Sequence, residues 1–250
     1  MQSNRFPLIM IGVISFTIAA IAMMPARVAY RIFSPAKSNI QLHQIKGTIW
    51  SGQANRLYAM KHSFSNIQWQ LQPLDLLLGA MTLDLQINDS NYPLKGTISR
   101  GFGGTLQANN LKATLPASLI QQAPYASFLG LSGTLRLDIP KLAANEDELK
   151  SVEGNVRLIN GQISAPLQGN IGNLNFQLST NQNGVLIKIT DQQAPIGING
   201  TVRLKPQKKF NFNASFTPRA NADAFLVTML KNAGQPQTDG SLLIKYDGRY

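Results

Sequence analysis

Asn66-Ile67-Gln68-Trp69-Gln70-Leu71 places an apolar side chain at every second position. Period two is the spacing of a strand with one face turned to a core and the other to water. The same alternation returns at Met81-Thr-Leu-Asp-Leu-Gln-Ile87, Leu135-Arg-Leu137, Val156-Arg-Leu158 and Val185-Leu-Ile-Lys-Ile189. Asn-Gly and Asp-Gly pairs at 160–161, 199–200, 239–240 and 247–248 are turn residues and are expected to punctuate the strands. The body of the chain therefore reads as mainly β, with antiparallel strands.

The opening strand has a later counterpart, Asn173-Leu-Asn-Phe176-Gln-Leu178. Other matches keep a nearly constant offset: Gly47-Thr-Ile-Trp50-Ser-Gly52-Gln53 with Gly154-Asn-Val-Arg-Leu-Ile-Asn-Gly161-Gln162, Asp89 and Pro93 with Asp191 and Pro195, and Gly96 with Gly200. Leu111-Lys-Ala-Thr-Leu-Pro116 matches Phe212-Asn-Ala-Ser-Phe-Thr-Pro218, and Gly133-Thr-Leu matches Gly240-Ser-Leu. The expectation is two tandem, similar antiparallel β modules, 47–142 and 152–250, joined by an acidic hairpin loop at 143–151 and forming a continuous curved sheet. Each carries one short helix, the first from Pro116 toward Leu129 and the second from about Asn221 to Asn232 with Gly234 as its stop. Pro73 to Gly79 adds a helical turn in the first module. The repeated positions are glycines, prolines and apolar strand residues, which are scaffold rather than chemistry.

Residues 6–24 hold no charge and are rich in Ile, Phe, Ala and Met. The run is about the minimum length for a transmembrane helix, leaving a short tail at 1–5 and a juxtamembrane segment with a first strand at 25–46. A cleaved signal peptide is the rival, since Ala20-Ile-Ala22 has the small-residue spacing of a cleavage site.

The 250 residues carry a net charge of +11, yet only 14% are charged. The basic residues are scattered singly, apart from Lys205-Pro-Gln-Lys208-Lys209, which argues against nucleic acid. Cysteine is absent, which excludes disulfides, thiolate metal sites and lipid attachment through an N-terminal cysteine. The two histidines, His43 and His62, have no ligand set around them in sequence. There is no Gly-x-Ser-x-Gly elbow and no phosphate-cradling loop, and the carboxylates suggest no acid/base pair. No catalytic, cofactor or metal residue is assigned, and no enzyme activity is expected. Trp50 and Trp69 read either as core packing or as an aromatic binding edge. The second copy has Phe176 in place of Trp69 and Leu158 near the Trp50 position, which favours packing.

Gly47-Thr-Ile-Trp50-Ser-Gly52 followed by Ile67-Gln-Trp69-Gln-Leu-Gln-Pro73-Leu-Asp-Leu-Leu-Leu-Gly79 resembles the paired tryptophan motifs of the type II secretion system protein N family. The glycine-led elements at Gly133, Gly154 and Gly240, like that at Gly200, are similar to its later strands. Leu42-His43-Gln44-Ile45-Lys46 departs from the pattern in being more polar and basic. The resemblance implies a non-enzymatic accessory of the Gram-negative machine that exports folded periplasmic proteins across the outer membrane. It implies an inner-membrane protein whose partners are other components of that machine. Positive charge alone (Arg5 before the apolar run; Arg27, Arg31 and Lys37 after it) would put the body in the cytoplasm. The short tail and the resemblance favour a cytoplasmic N-terminus and a periplasmic body. The alternative function is a periplasmic binder of lipid or another hydrophobic ligand, with the alternating apolar face as an open groove.

Overall fold

The computed structural model describes residues 5–33, 40–59, 62–122, 130–145, 148–164 and 169–249. The chain divides between Asp89 and Ser90 into two units. Both are mainly antiparallel β.

The first unit opens with helices α1 (Arg5–Ala22) and α2 (Ala26–Phe33). Pro25 follows the last turn of α1 and caps α2, its carbonyl accepting from the N–H groups of Val28 and Ala29 (3.0 and 3.1 Å). The apolar run at 6–24 thus forms a helix of 18 residues. Its rise is about 27 Å, against a hydrocarbon core of about 30 Å. Among the described residues, no helix is long and apolar enough to cross a membrane. The tail at 1–4 lies outside the described residues, as do Lys37 and its neighbours.

Strands β1 (Ile40–His43), β2 (Lys46–Gly47), β3 (Ser51–Ala59) and β4 (His62–Gln72) follow, then the short helix α3 (Pro73–Leu77) and β5 (Ala80–Ile87). They pair in the order β1-β3-β4-β5, with β2 also against β3. Ala54, Ile67 and Ile87 stand opposite one another across β3, β4 and β5, and all three are buried. The alternation that opens the sequence reading is the inward row of this sheet.

The second unit contains β6 (Leu94–Gly101), β7 (Leu106–Pro116), a 3-10 turn (Ala117–Gln122), β8 (Leu131–Ala144) and β9 (Leu149–Ile163). It continues through β10 (Gly169–Asn181), β11 (Gly184–Asp191), β12 (Ile196–Lys205), β13 (Lys209–Pro218), helix α4 (Ala224–Ala233), β14 (Gln235–Pro236) and β15 (Leu242–Arg249). Spatial order follows chain order from β6 to β13; β15 then joins β13, and β14 lies outermost. Leu135, Leu158 and Leu174 pack with Ala117 and Ala194 in one buried cluster, and Ile139, Val152 and Val185 form another.

The strands flanking the expected module junction pair directly, with Leu137 opposite Val156 and Leu142 opposite Val152. Of the expected loop at 143–151, residues 143–144 belong to β8 and 149–151 to β9. The Asn145 N–H donates to the Glu148 carbonyl (3.0 Å) and the Glu148 N–H to Asn145 Oδ1 (2.7 Å); residues 146–147 lie outside the described residues.

Helix α4 forms in the expected region but starts at Ala224, three residues after the expected Asn221. Asp223 caps it by accepting from the N–H groups of Phe225 and Leu226 (2.9 and 3.2 Å), and Gly234 follows its last turn. The earlier helix is a 3-10 turn as far as Gln122, and its expected continuation to Leu129 lies outside the described residues.

Three of the four expected turn pairs are not turns. Asn160-Gly161, Asn199-Gly200 and Asp247-Gly248 lie within β9, β12 and β15. In these positions glycine answers a cross-strand neighbour. A Cβ on Gly248 would sit 2.7 Å from the Phe210 ring, and one on Gly161 2.9 Å from the Gly172 carbonyl oxygen. Only Asp239-Gly240 makes a turn, just before β15.

Candidate functional site

The tryptophan motifs meet at one end of the first unit. Gly47 pairs with Gly52, and Gly52 pairs with Trp69 on the neighbouring strand. Gly47 has φ +86°, and its backbone lies against Ser51 and Gly52 so closely that a Cβ would be 2.8 Å from Gly52 Cα. The left-handed conformation and the close approach both call for glycine. Gly52 lies beneath the Trp69 indole: a Cβ there would be 2.7 Å from ring atom Cε2 and 2.8 Å from the Lys46 carbonyl oxygen. The half-buried Trp69 therefore packs on a bare backbone surface across the strand pair.

Trp50 does something the alternation does not foretell. Its Nε1–H donates to the carbonyl of Ile21, in the last turn of α1 (3.1 Å). The Ile49 N–H donates to the Met24 carbonyl (3.2 Å), and Pro25 bridges Thr48. Carbonyls of the last helical turn lack i+4 partners; that of Ile21 accepts from the Met24 N–H (3.2 Å) and also from the Trp50 indole. On its other side the Trp50 carbonyl accepts from Leu71 N–H (2.7 Å), two residues before Pro73 opens α3. Gly79, φ +84°, closes the turn into β5. Gly47, Trp50, Gly52 and Trp69 thus lie together beside the exit of α1, while Leu71 links Trp50 to the strand end that leads into Pro73. Ile21 and Met24 lie in the apolar run and Thr48 in the first tryptophan motif, but no pattern in the sequence marks the contacts they make.

The remaining motif glycines lie in the second unit. Gly133 and Gly154 sit at register shifts between β8 and β9, Gly200 sits opposite Ala214 and Gly240 in the turn before β15. His43 packs edge-on against Tyr58 (centroids 5.2 Å apart), and His62 begins β4. Among the described residues, no group of three or more His, Asp or Glu could hold a metal ion.

The second unit holds an apolar cleft of about 260 Å³ between α4 and the sheet. Ile163, Ile171, Ile198 and Phe216 form its floor; Leu226 and Met229 of α4 form its roof. Next to it, the segment after β11 is clipped in place. Asp191 accepts from the N–H groups of Ala194 and Ile198 (3.3 and 2.9 Å) and pairs with Arg219 (2.7 Å), which also donates to the Ala194 carbonyl. Burial pushes the Asp191 carboxyl up, but the Arg219 guanidinium and the two N–H groups outweigh it and hold the pKa below the ordinary carboxylate range. A lowered carboxylate stabilises the fold above the unfolded value of about 3.9, and the contribution is lost as pH falls below it. We expect Asp191→Asn to cost about 1–2 kcal/mol at pH 7, a figure held down by the half-exposed Arg219. Denaturation at several pH values checks this: the gap between wild type and variant should narrow below pH about 4.

The sequence profile of the family described as Type II secretion system (T2SS), protein N, matches residues 38–245. The chain belongs to the type II secretion system protein N family. Curated relatives carrying the name Type II secretion system protein N are similar to it over nearly their whole length. The protein of Aeromonas hydrophila is 22% identical over 232 residues, covering 90% of this chain and 91% of the relative. That of Vibrio cholerae is 23% identical over 235 residues (92% and 93%), and that of Klebsiella pneumoniae 22% over 214 residues (84% and 83%). No solved structure matches. The family match takes in both tryptophan motifs and the cleft beneath α4, but begins after α1 and α2.

Proposed function

We propose that this chain is a non-enzymatic component of a type II secretion system, held in the inner membrane by α1 with its N-terminus cytoplasmic and its β body periplasmic. It takes part in export of folded periplasmic proteins across the outer membrane through contact with other components of the machine. The observation that carries this reading is the family match over residues 38–245. The anchor is supported by the surface of α1, where Ile9, Ile11, Val13 and Phe16 are exposed, Phe16 by 75%. An apolar helix slightly shorter than the bilayer core is accommodated by local thinning at modest cost. Contact by strand addition is supported by β15. Beyond the short pairing of Leu242 and Leu243 with β14, its outer edge from Ile244 to Arg249 pairs with no described strand.

The two-module reading belongs to the same proposal. Its support is the order of elements: β3, β4, β5, β6, β7, the 3-10 turn and β8 run parallel to β9, β10, β11, β12, β13, α4 and β15.

Deletion of the gene in a strain that depends on the machine is expected to abolish export, with normal substrates accumulating in the periplasm. Undiminished export in that strain overturns the proposal.

The cleft beneath α4 supports a second reading, a lipid or hydrophobic-ligand binder. At about 260 Å³ it lies just below the usual range of small-molecule sites, so it suits one short apolar segment rather than a whole phospholipid. Native mass spectrometry after gentle extraction distinguishes the two, since only the second reading expects a stoichiometric lipid whose copurification depends on the cleft.

A further inference from the structure

Helix α3 and the residues after it expose large apolar side chains to an unusual degree. Leu74 is 71% exposed, and Leu77 and Leu78 are each 83% exposed; Met81 at the start of β5 is exposed as well. A soluble loop normally carries polar residues in such positions. These leucines are not scattered. The Trp50 carbonyl holds Leu71, at the end of β4, while the Trp50 indole holds Ile21, at the end of α1. The leucine turn therefore begins two residues from the clasp that receives the apolar helix.

Helix α2 extends the same pattern. It turns Ala26 inward and holds Tyr30 against β1, where Tyr30 Oη accepts from the Leu42 N–H (3.1 Å). Outward it shows Val28 and Ile32, one turn apart, beside Arg27 and Arg31, also one turn apart; all four are exposed. Apolar and basic stripes side by side on a short helix are the signature of an element lying in a membrane interface, with guanidinium groups at anionic phosphates.

We propose that α3 and the outer face of α2 form a membrane seat: Leu74, Leu77 and Leu78 enter the acyl boundary of the leaflet from which α1 emerges, and Arg27 and Arg31 meet its phosphates. The occupant of this surface is a phospholipid bilayer. The inference rests on the proposed anchoring by α1 and adds a second, independent point of contact. Its consequence is that the first unit is fixed in orientation on the membrane instead of swinging from a single helix.

The absence of cysteine makes the test direct. The full chain, reconstituted in vesicles of phosphatidylethanolamine and phosphatidylglycerol, is given single cysteines by Leu77→Cys, Val13→Cys or Ser63→Cys and labelled with an environment-sensitive fluorophore. Lipids bearing nitroxide on the acyl chain then act as quenchers. We expect the label at 77 to be blue-shifted and to lose most of its emission, while the label at 63, in the β3–β4 hairpin, keeps its own. A label at 77 that behaves like the one at 63 overturns the seat and leaves the leucines to a protein partner. The label at 13 reads the anchor separately: quenched at 13 but not at 77, the anchor stands and the seat falls; quenched at 77 but not at 13, the reverse. Because Leu77 is so exposed, its substitution leaves the fold intact and the reading unambiguous.

Discussion

Replacing Gly52 by valine is expected to destabilise the first unit by about 3 kcal/mol or more and to abolish export. Overpacking of a well-filled site ordinarily costs about 1–3 kcal/mol, because side chains move aside. Here there is little room for that. The added carbon meets the Trp69 ring on one side and the Lys46 carbonyl on the other. Only the indole can yield, and it yields by leaving the surface it packs on. The pairing of Gly47 with Gly52 is disturbed at the same point, two residues from Trp50 and its bond to Ile21. Denaturant midpoints followed by tryptophan emission measure the loss, and secretion assays its consequence. Gly52→Val combined with Trp69→Ala should recover part of the stability, since the ring is the obstacle that can be removed. Stability equal to wild type in Gly52→Val would mean that the indole does not lie where we describe it.

The second large effect is expected from Leu226→Asp. Leu226 is buried, touches Gly169 and roofs the apolar cleft. Losing a buried leucine costs about 2–5 kcal/mol, and an unpaired carboxylate in the cleft adds several more. The molecule has a cheaper escape, which sets the upper limit. α4 lifts from the sheet and takes the charge into water. An acidic residue in the first turn, three places after the Asp223 cap, suits the helix dipole, so α4 itself persists. We therefore expect little change in far-ultraviolet circular dichroism, a clear rise in binding of an apolar dye to the uncovered sheet, and a loss of about 3 kcal/mol. Copurifying lipid that disappears in this variant would favour the lipid-binding reading; export lost with no lipid ever found would favour a role for α4 in protein contact.

The sequence was legible where one physical rule dominated. Burial of one sheet face imposes period two, so the strands around Trp69, Leu83, Leu137, Val156 and Ile187 could be read directly. Capping and helical spacing likewise announced α4. Where two rules compete the reading slipped. Asn-Gly favours a hairpin turn, but it also suits a strand position that needs positive φ or a close neighbour, and Asn160, φ 52°, is of this second kind. Periodicity says nothing about a half-buried residue whose partner lies far along the chain. The hydrogen bond of Trp50 to Ile21, 29 residues away, is therefore invisible beforehand, as is the pairing of Asp191 with Arg219. The motif residues Gly47, Trp50, Gly52 and Trp69 could be picked out together in the sequence, but the bond of Trp50 to the end of α1 could not.

In the second unit, neighbours in space from β6 to β13 are neighbours along the chain. Each strand can thus zip onto the one made just before it, with little loop-closure entropy to overcome except between β7 and β8, which residues 117–130 separate. A chain emerging N-terminus first can add these strands in order, and among the described strands of the second unit β15 joins out of turn, since it must bypass β14 to find β13.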